Sequence, residues 1–417
     1  MVAYHFPPLA GSSGVQRTLR FSSYLPQFGW EPIVLTAHPR AYSSTSTDQL
    51  DQIAPGVRVV RAPAWDTKRH FSVRGRYPAF LARPDRWLSW WLGAVPLGLW
   101  LIRKLGVHAI WSTFPIATAH LIGATLATRT GLPWIADFRD PMAQPGYPSD
   151  PATHASFVRI EQRTTALARC CTFTAPGAVD EYARRYPAQR DRFRLLENGY
   201  DEQAFGGLEP AGPLNPGRFT LLHSGIVYAV ERDPTQLFAA LARLRDEAPQ
   251  HYARVVVRFR AAVNETLLAE LAGRYAVEDA IEILPRIGYR DGLREMLSAD
   301  ALLLLQASNC NEQIPAKFYE YLRARRPIVA LTDPAGDTAR AARDAGLDAI
   351  ARLDDPAEIA ALLSRVLESP TRGTLPSEAA VAAKSRRRLS GDLAALLDEV
   401  VALGADARTK GTTCATS

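Results

Sequence analysis

ALLLLQASNCNEQIPAKFYEYLRARRPIVAL, residues 301–331, is the stretch that decides the fold. Ala301 to Gln306 and Pro327 to Leu331 are short, unbroken apolar runs, the pattern of strands buried on both faces. Between them stands Pro315, which has no backbone donor and a fixed φ, and so suits the first turn of a helix. The spacing carries that helix to Arg325, with Phe318, Leu322 and Tyr321 as its apolar stripe and Lys317, Glu320 and Arg323 off it. A strand, a helix and a strand in this compass form a βαβ unit, and its two strands are parallel.

The same alternation continues in both directions. Towards the N-terminus, strands are expected at Glu31–Ala37, Val57–Pro63, His108–Phe114, Pro133–Phe138 and Cys170–Pro176, and within Arg192–Asp201. Helices are expected at Val15–Phe28, Leu88–Leu105 and Thr118–Thr130. A second series opens near Arg218 with FTLLHSG, then a helix at Thr235–Glu247 and strands at Val255–Ala261 and Ala280–Pro285. The fold class is therefore α/β, in two halves joined by a linker at 205–216. The expected organisation is one domain over residues 1–205, a second over 206–385, a C-terminal helix over 386–404 and a disordered tail over 405–417.

Charge and cysteine usage remove several function classes. The net charge is +6, but the arginines are scattered rather than gathered on one face with aromatics, so no nucleic-acid partner is expected. The four cysteines show no CxxC spacing and no disulfide framework, and no signal-peptide pattern opens the chain, which points to the cytoplasm. Trp87 to Leu105 approaches the length of a membrane span, but Pro96 interrupts it. It reads as a buried or interfacial helix, with peripheral membrane contact through Trp87, Trp90 and Trp91 as the interfacial alternative.

Loops at the carboxyl ends of parallel strands are where α/β proteins bind ligands. Glu312 and Glu320 flank the start of the helix in the opening stretch; carboxylates there accept hydrogen bonds from hydroxyls, while backbone amides and Lys317 favour phosphate. This suits a nucleoside diphosphate linked to a sugar, and an amphipathic helix with solvated charges fits the spacing equally well. In Tyr4–Thr18, Gly11 and Gly14 bring amides near a phosphate or simply turn the chain. In DFRDP, Asp137–Pro141, Arg139 and Asp140 either serve an acceptor and an anion or pair to fix the loop. In HSGIVYAVERDP, Gly225 allows close backbone approach and Arg232 is placed to meet a departing diphosphate or to cap the loop. His223 reads as packed or hydrogen-bonded rather than catalytic, and Gly288 in PRIGYRD marks either a base-contacting loop or a turn.

In this order, YHFPPLAGSSGVQRT, PWIADFRDP, ENGYDEQAF, HSG with ERDP, and IPAKFYEYL resemble glycosyltransferase family 4 and the related group 1 transferases, from about Tyr4 to Leu363. The resemblance implies a GT-B fold of two Rossmann-like doubly wound domains facing across a cleft. It implies a retaining transfer of a hexose-type sugar from a nucleoside diphosphate to a hydroxyl acceptor in cell-surface polysaccharide or glycolipid synthesis, a lipid-linked acceptor suiting the tryptophan-rich helix. Carried over by position, Gly14, Gly225, Arg232, Gly288, Lys317 and Glu320 bind the donor, Glu320 through its ribose. Glu312 faces the donor sugar and joins Arg139 and Asp140 as the catalytic candidates, at a strand end where many relatives carry a histidine. No metal and no cofactor beyond the sugar nucleotide is implied. A sugar-nucleotide epimerase and a degenerate binding or scaffold protein of the same fold stay open. Two departures stand out: Ile226 replaces an arginine common in relatives, and only Met1–Ala3 precede the YHFPP motif, where relatives have a full strand.

Overall fold

The computed structural model describes residues 1–11 and 14–413, the last nine of these by backbone alone. The chain divides into two compact units, one of residues 1–197 with 386–417 and the other of residues 198–385.

In the first unit, β1 (Ile33–Ala37) pairs with β2 (Arg58–Ala62). Strands β3 (Ile110–Thr113), β4 (Trp134–Arg139), β5 (Cys170–Phe173) and β6 (Phe193–Leu195) run side by side, all parallel. The three residues before the YHFPP motif join these two groups. Val2 bridges Leu35 on one side and Ser112 on the other, both in parallel. The amide of Val2 donates to the Trp111 carbonyl at 2.7 Å and Leu35 donates to the Met1 carbonyl at 2.8 Å. Three residues thus fill the central position because their backbone groups bond to both sides, and the edges of β1 and β3 are not left open there.

The core of this unit is aromatic. Trp90, Trp134, Phe6, Phe21, Phe138 and Phe173 are among its fully buried side chains. The helix Ser89–Leu105 turns Trp90 inward, and its neighbours are also engaged: the Trp87 indole donates to the Ala41 carbonyl at 3.1 Å and Trp91 to Thr125 Oγ1 at 3.0 Å. Of the three tryptophans named for a membrane contact, Trp90 has no exposed surface, while Trp87 and Trp91 are partly buried against the core. No helix among the described residues is long and apolar enough to cross a membrane.

The C-terminal helix Arg386–Thr413 belongs to the first unit, where Leu389, Leu393, Leu397 and Val400 pack with Phe21, Leu25, Trp111 and Ile135. Their helical spacing is what lets one face close the unit. The stretch from 405, read from sequence as a disordered tail, is helical as far as Thr413, and residues 414–417, with Cys414, lie outside the described residues.

The second unit is a six-stranded parallel sheet of β7 (Phe219–Ser224), β8 (Val255–Arg260), β9 (Ile281–Leu284), β10 (Ala301–Gln306), β11 (Ile328–Thr332) and β12 (Ile350–Ala351). Its order is β12-β11-β10-β7-β8-β9. The chain winds outward from β7 through β8 to β9, then returns to β10 and winds the other way, as in a Rossmann sheet. Every residue of β10 is buried, which is why its sequence is unbroken leucine rather than alternating. The opening stretch is the expected βαβ unit, with Leu302 opposite Ile328. Its helix starts at Lys317 rather than Pro315 and ends at Ala324. The carbonyls of Pro315 and Ala316 take the amides of Phe318 and Tyr319 in a tighter turn before the helix settles.

Candidate functional site

The reversal of winding between β7 and β10 opens a crevice at their carboxyl ends, the position where open α/β sheets bind ligands. Two loops meet there. The chain after β10 is tied to the chain after β7 by the Ala307 amide on the Glu231 carbonyl at 2.8 Å and by Asn309 on the Val230 carbonyl at 3.4 Å. The helix Lys317–Ala324 is fastened to the end of β7 by the Ser224 amide, which donates to the buried Tyr321 hydroxyl at 3.0 Å. Phe318, Tyr321 and Leu322 form the expected buried stripe, with Tyr319 added to it.

Lys317 is the first residue of this helix, and its ammonium donates to His223 Nε2 at 2.9 Å. The other ring nitrogen of His223 donates to the Leu303 carbonyl at 3.0 Å, which fixes the tautomer and leaves Nε2 as an acceptor. Burial, and then the charge of Lys317, push the imidazole well below its ordinary value, so it is neutral. Lys317 is itself pushed well below 10.5 by burial and by Arg232, with Glu320 opposing. The same loop explains Gly225, whose φ is +116° and whose absent Cβ would lie 3.2 Å from the Lys317 nitrogen. Any side chain there would crowd the ammonium and strain the backbone.

Arg232 donates to the Ile226 carbonyl at 3.0 Å and lies over the Tyr228 ring at 5.0 Å. Its Nε is buried with no hydrogen-bond partner, and burial lowers its pKa. Glu320, in the first turn of its helix, accepts from the Tyr289 hydroxyl at 2.8 Å. Tyr289 opens the helix Tyr289–Ser298, for which Gly288 is the cap. Glu312 is exposed in the loop after β10 and forms no ion pair among the described residues.

Gly225, Arg232, Lys317 and Glu320 thus gather around one crevice, with Gly288 one residue from the tyrosine that holds Glu320. His223 is hydrogen-bonded, as its sequence context indicates, and its partners are Lys317 and the Leu303 carbonyl. Tyr289 lies in PRIGYRD, the stretch read as a base-contacting loop or a turn, but nothing in a linear stretch shows which tyrosine a helix thirty residues away will meet.

In the first unit the strand-end loop is built around a buried ion pair. Arg17 grips Asp137 through two bonds, of 2.9 and 2.7 Å, and the carboxylate also accepts from Thr113 and Thr172 at 2.7 and 2.8 Å. Burial opposes the Asp137 charge, but Arg17 and these donors hold its pKa below the ordinary value. Arg139 sits at a register shift with φ 64°, donates to Thr113 Oγ1 at 2.9 Å and to the Gly14 carbonyl at 3.1 Å, and is lowered to about 10 by burial. Asp140 accepts from Thr174 at 3.3 Å, and burial raises its pKa. His5, beside this group, is lowered to about 3 by burial and by Arg139. Gly14, Arg139 and Asp140 therefore share one polar cluster, to which His5, not singled out from sequence, is electrostatically coupled.

A family model for the glycosyl transferase 4-like domain matches residues 13–199, a little under half of the chain. All but the last two of the matched residues lie in the first unit. Among solved structures, sucrose-phosphate synthase from Thermosynechococcus elongatus is 14% identical with a TM-score of 0.63, covering 100% of this chain and 99% of its own. Anabaena HepE, in complex with UDP and glucose, is 13% identical with a TM-score of 0.64 over 95% of this chain and 99% of its own. The α,α-trehalose 6-phosphate synthase from Burkholderia multivorans is 14% identical with a TM-score of 0.65 over 98% and 97%. Identities this low speak for the fold, which is GT-B with two Rossmann-like domains. No curated protein matches the chain in sequence. Family match and fold together make the chain a glycosyltransferase of GT-B type.

Proposed function

We propose that this glycosyltransferase moves a hexose-type sugar from a nucleoside diphosphate to a hydroxyl acceptor, with retention at the anomeric carbon and without a metal ion, in cell-surface polysaccharide or glycolipid synthesis. The observation that carries the donor side is the state of Lys317 and Arg232. Both cations are held by neutral groups, an imidazole, a carbonyl and an aromatic face, and neither is in an ion pair among the described residues. Two partly desolvated cations that raise each other's energy are a binding site for the diphosphate that would separate them.

When the bond between the anomeric carbon and the diphosphate oxygen breaks, that oxygen gains the bonding electron pair. Lys317 and Arg232 would then stabilise more charge than in the intact donor, which lowers the barrier. Glu320, a carboxylate in the first turn of its helix, would accept from the ribose hydroxyls, and Gly225 lets the backbone come close to the phosphates. With two cations meeting the diphosphate, no divalent ion is needed to offset its charge. In the second unit Glu312 is proposed to meet the transferred sugar; in the first unit Arg139 and Asp140 are proposed to meet the acceptor, for which a lipid-linked alcohol is the proposed class.

Proton NMR of the sugar first released from an α-linked sugar nucleotide tests the reaction. The α-anomer, formed at an unchanged rate with EDTA present, is expected; the β-anomer or abolition by EDTA contradicts it.

A further inference from the structure

Residues 67–84, TKRHFSVRGRYPAFLARP, contain five cations and no acid. They also carry Phe71, Val73 and Phe80, whose side chains are 44%, 74% and 67% exposed. A folded surface rarely displays three large apolar side chains in so short a stretch without a partner. Val73 and Arg76 exchange backbone hydrogen bonds of 2.8 and 3.0 Å across Arg74 (φ 51°) and Gly75 (φ 78°), so a two-residue hairpin turn fixes the tip. Arg69 and Arg83 are engaged, by the Tyr42 carbonyl and by Asp150 respectively. Lys68 and Arg76 are exposed and in no ion pair among the described residues.

We propose that this segment docks the first unit on an anionic lipid bilayer, with Phe71, Val73 and Phe80 entering the acyl boundary and Lys68, Arg74 and Arg76 lying among the headgroups. Charge complementarity selects this occupant. A cytoplasmic leaflet offers negative charge above a hydrocarbon layer, whereas a nucleic acid offers charge with nothing to receive an aliphatic side chain such as Val73. The helix that follows carries the same chemistry: Leu92 and Trp100 are 67% and 50% exposed, and the Lys104 nitrogen lies 4.6 Å over the Trp100 ring. Such a cation on an aromatic ring keeps its charge at the water side of an apolar body. The proposed bilayer contact is made by side chains that the core leaves outside rather than by Trp90, which it buries.

Sedimentation of the full chain with vesicles, in the absence of any substrate, tests this independently of the reaction. The wild type is expected to bind phosphatidylglycerol-containing vesicles and not phosphatidylcholine alone, with binding weakened by salt. Each cation near such a surface is worth about fivefold in affinity, so K68E/R76E is expected to bind more than about twentyfold less tightly. F71S/V73S/F80S is expected to lose binding, K68R/R76K to keep it, and all to retain the wild-type melting curve. Equal binding to neutral vesicles, variants that bind like the wild type, or tighter binding to a single-stranded RNA than to anionic vesicles would overturn the proposal.

Discussion

Lys317→Ala is expected to slow release of the sugar from its donor by about 10²–10³-fold, the usual cost of removing one preorganised group that meets developing charge. The loss should fall mainly on kcat, because the charge on the leaving oxygen grows in the transition state. The fold should survive. A lysine whose pKa is depressed in the folded chain is harder to protonate there than in the unfolded chain, so its protonation costs stability at low pH, and stability rises as pH climbs towards 10.5. Removing the ammonium removes that cost. A bound diphosphate has the opposite effect and favours the charged amine, so binding takes up a proton at pH values above the lowered Lys317 value. Affinity for the nucleoside diphosphate should fall as pH rises through the lowered Lys317 value, well below 10.5, and this fall should be absent in Lys317→Ala. Steady-state kinetics and calorimetry in buffers of different ionisation enthalpy measure both effects; an unchanged kcat in Lys317→Ala would remove the lysine from the mechanism.

Arg17→Met is expected to destabilise the first unit by about 3 kcal/mol, because the buried Asp137 carboxylate loses its two-bond partner and keeps only Thr113, Thr172 and Arg139, which lies 3.7 Å away. Arg17 and Asp137 are 1% and 0% exposed, and no water-facing surface is at hand to solvate the survivor. All eight tryptophans lie between Trp30 and Trp134, so indole fluorescence during urea unfolding follows the first unit alone. The pH dependence has a fixed sign. A carboxyl held below its ordinary value gives stability that is present above its unfolded pKa, near 3.8, and is lost as pH falls through the lower folded value. The wild-type midpoint should drop in that acid range, and the double substitution R17M/D137L should recover much of the loss seen in Arg17→Met. A single Arg17→Met midpoint equal to that of the wild type would mean that the pair contributes nothing.

Five of the six strands of the second unit were legible, β10 and β11 as continuous apolar runs, while the two-residue β12 is too short to show a pattern; Ala301–Gln306 and the helix Thr235–Glu247 have the expected bounds. The N-terminus was harder. Val2 makes a strand position out of three residues, and only its bonds to Trp111 and Thr113 on one side, with those of its neighbours to Leu35 on the other, reveal it. The helix Ser89–Leu105 was read as buried or interfacial for a related reason: a helix with apolar residues on most of its faces does not announce which face the core takes. At the site, residue types could be read from the loops, but their pairing could not. The contacts of Lys317 with His223 and of Tyr289 with Glu320 span 94 and 31 residues, and they follow from the winding order of β7, β10 and the helices between them.

The most direct test of the donor site is calorimetric titration of UDP, GDP, ADP and TDP into the wild type and into Glu320→Ala. One of the four is expected to bind the wild type and to bind Glu320→Ala at least about tenfold more weakly, since a ribose hydroxyl loses a charged acceptor. Absence of binding by all four, or equal affinity in the two proteins, would contradict the assignment of this crevice to a nucleoside diphosphate sugar.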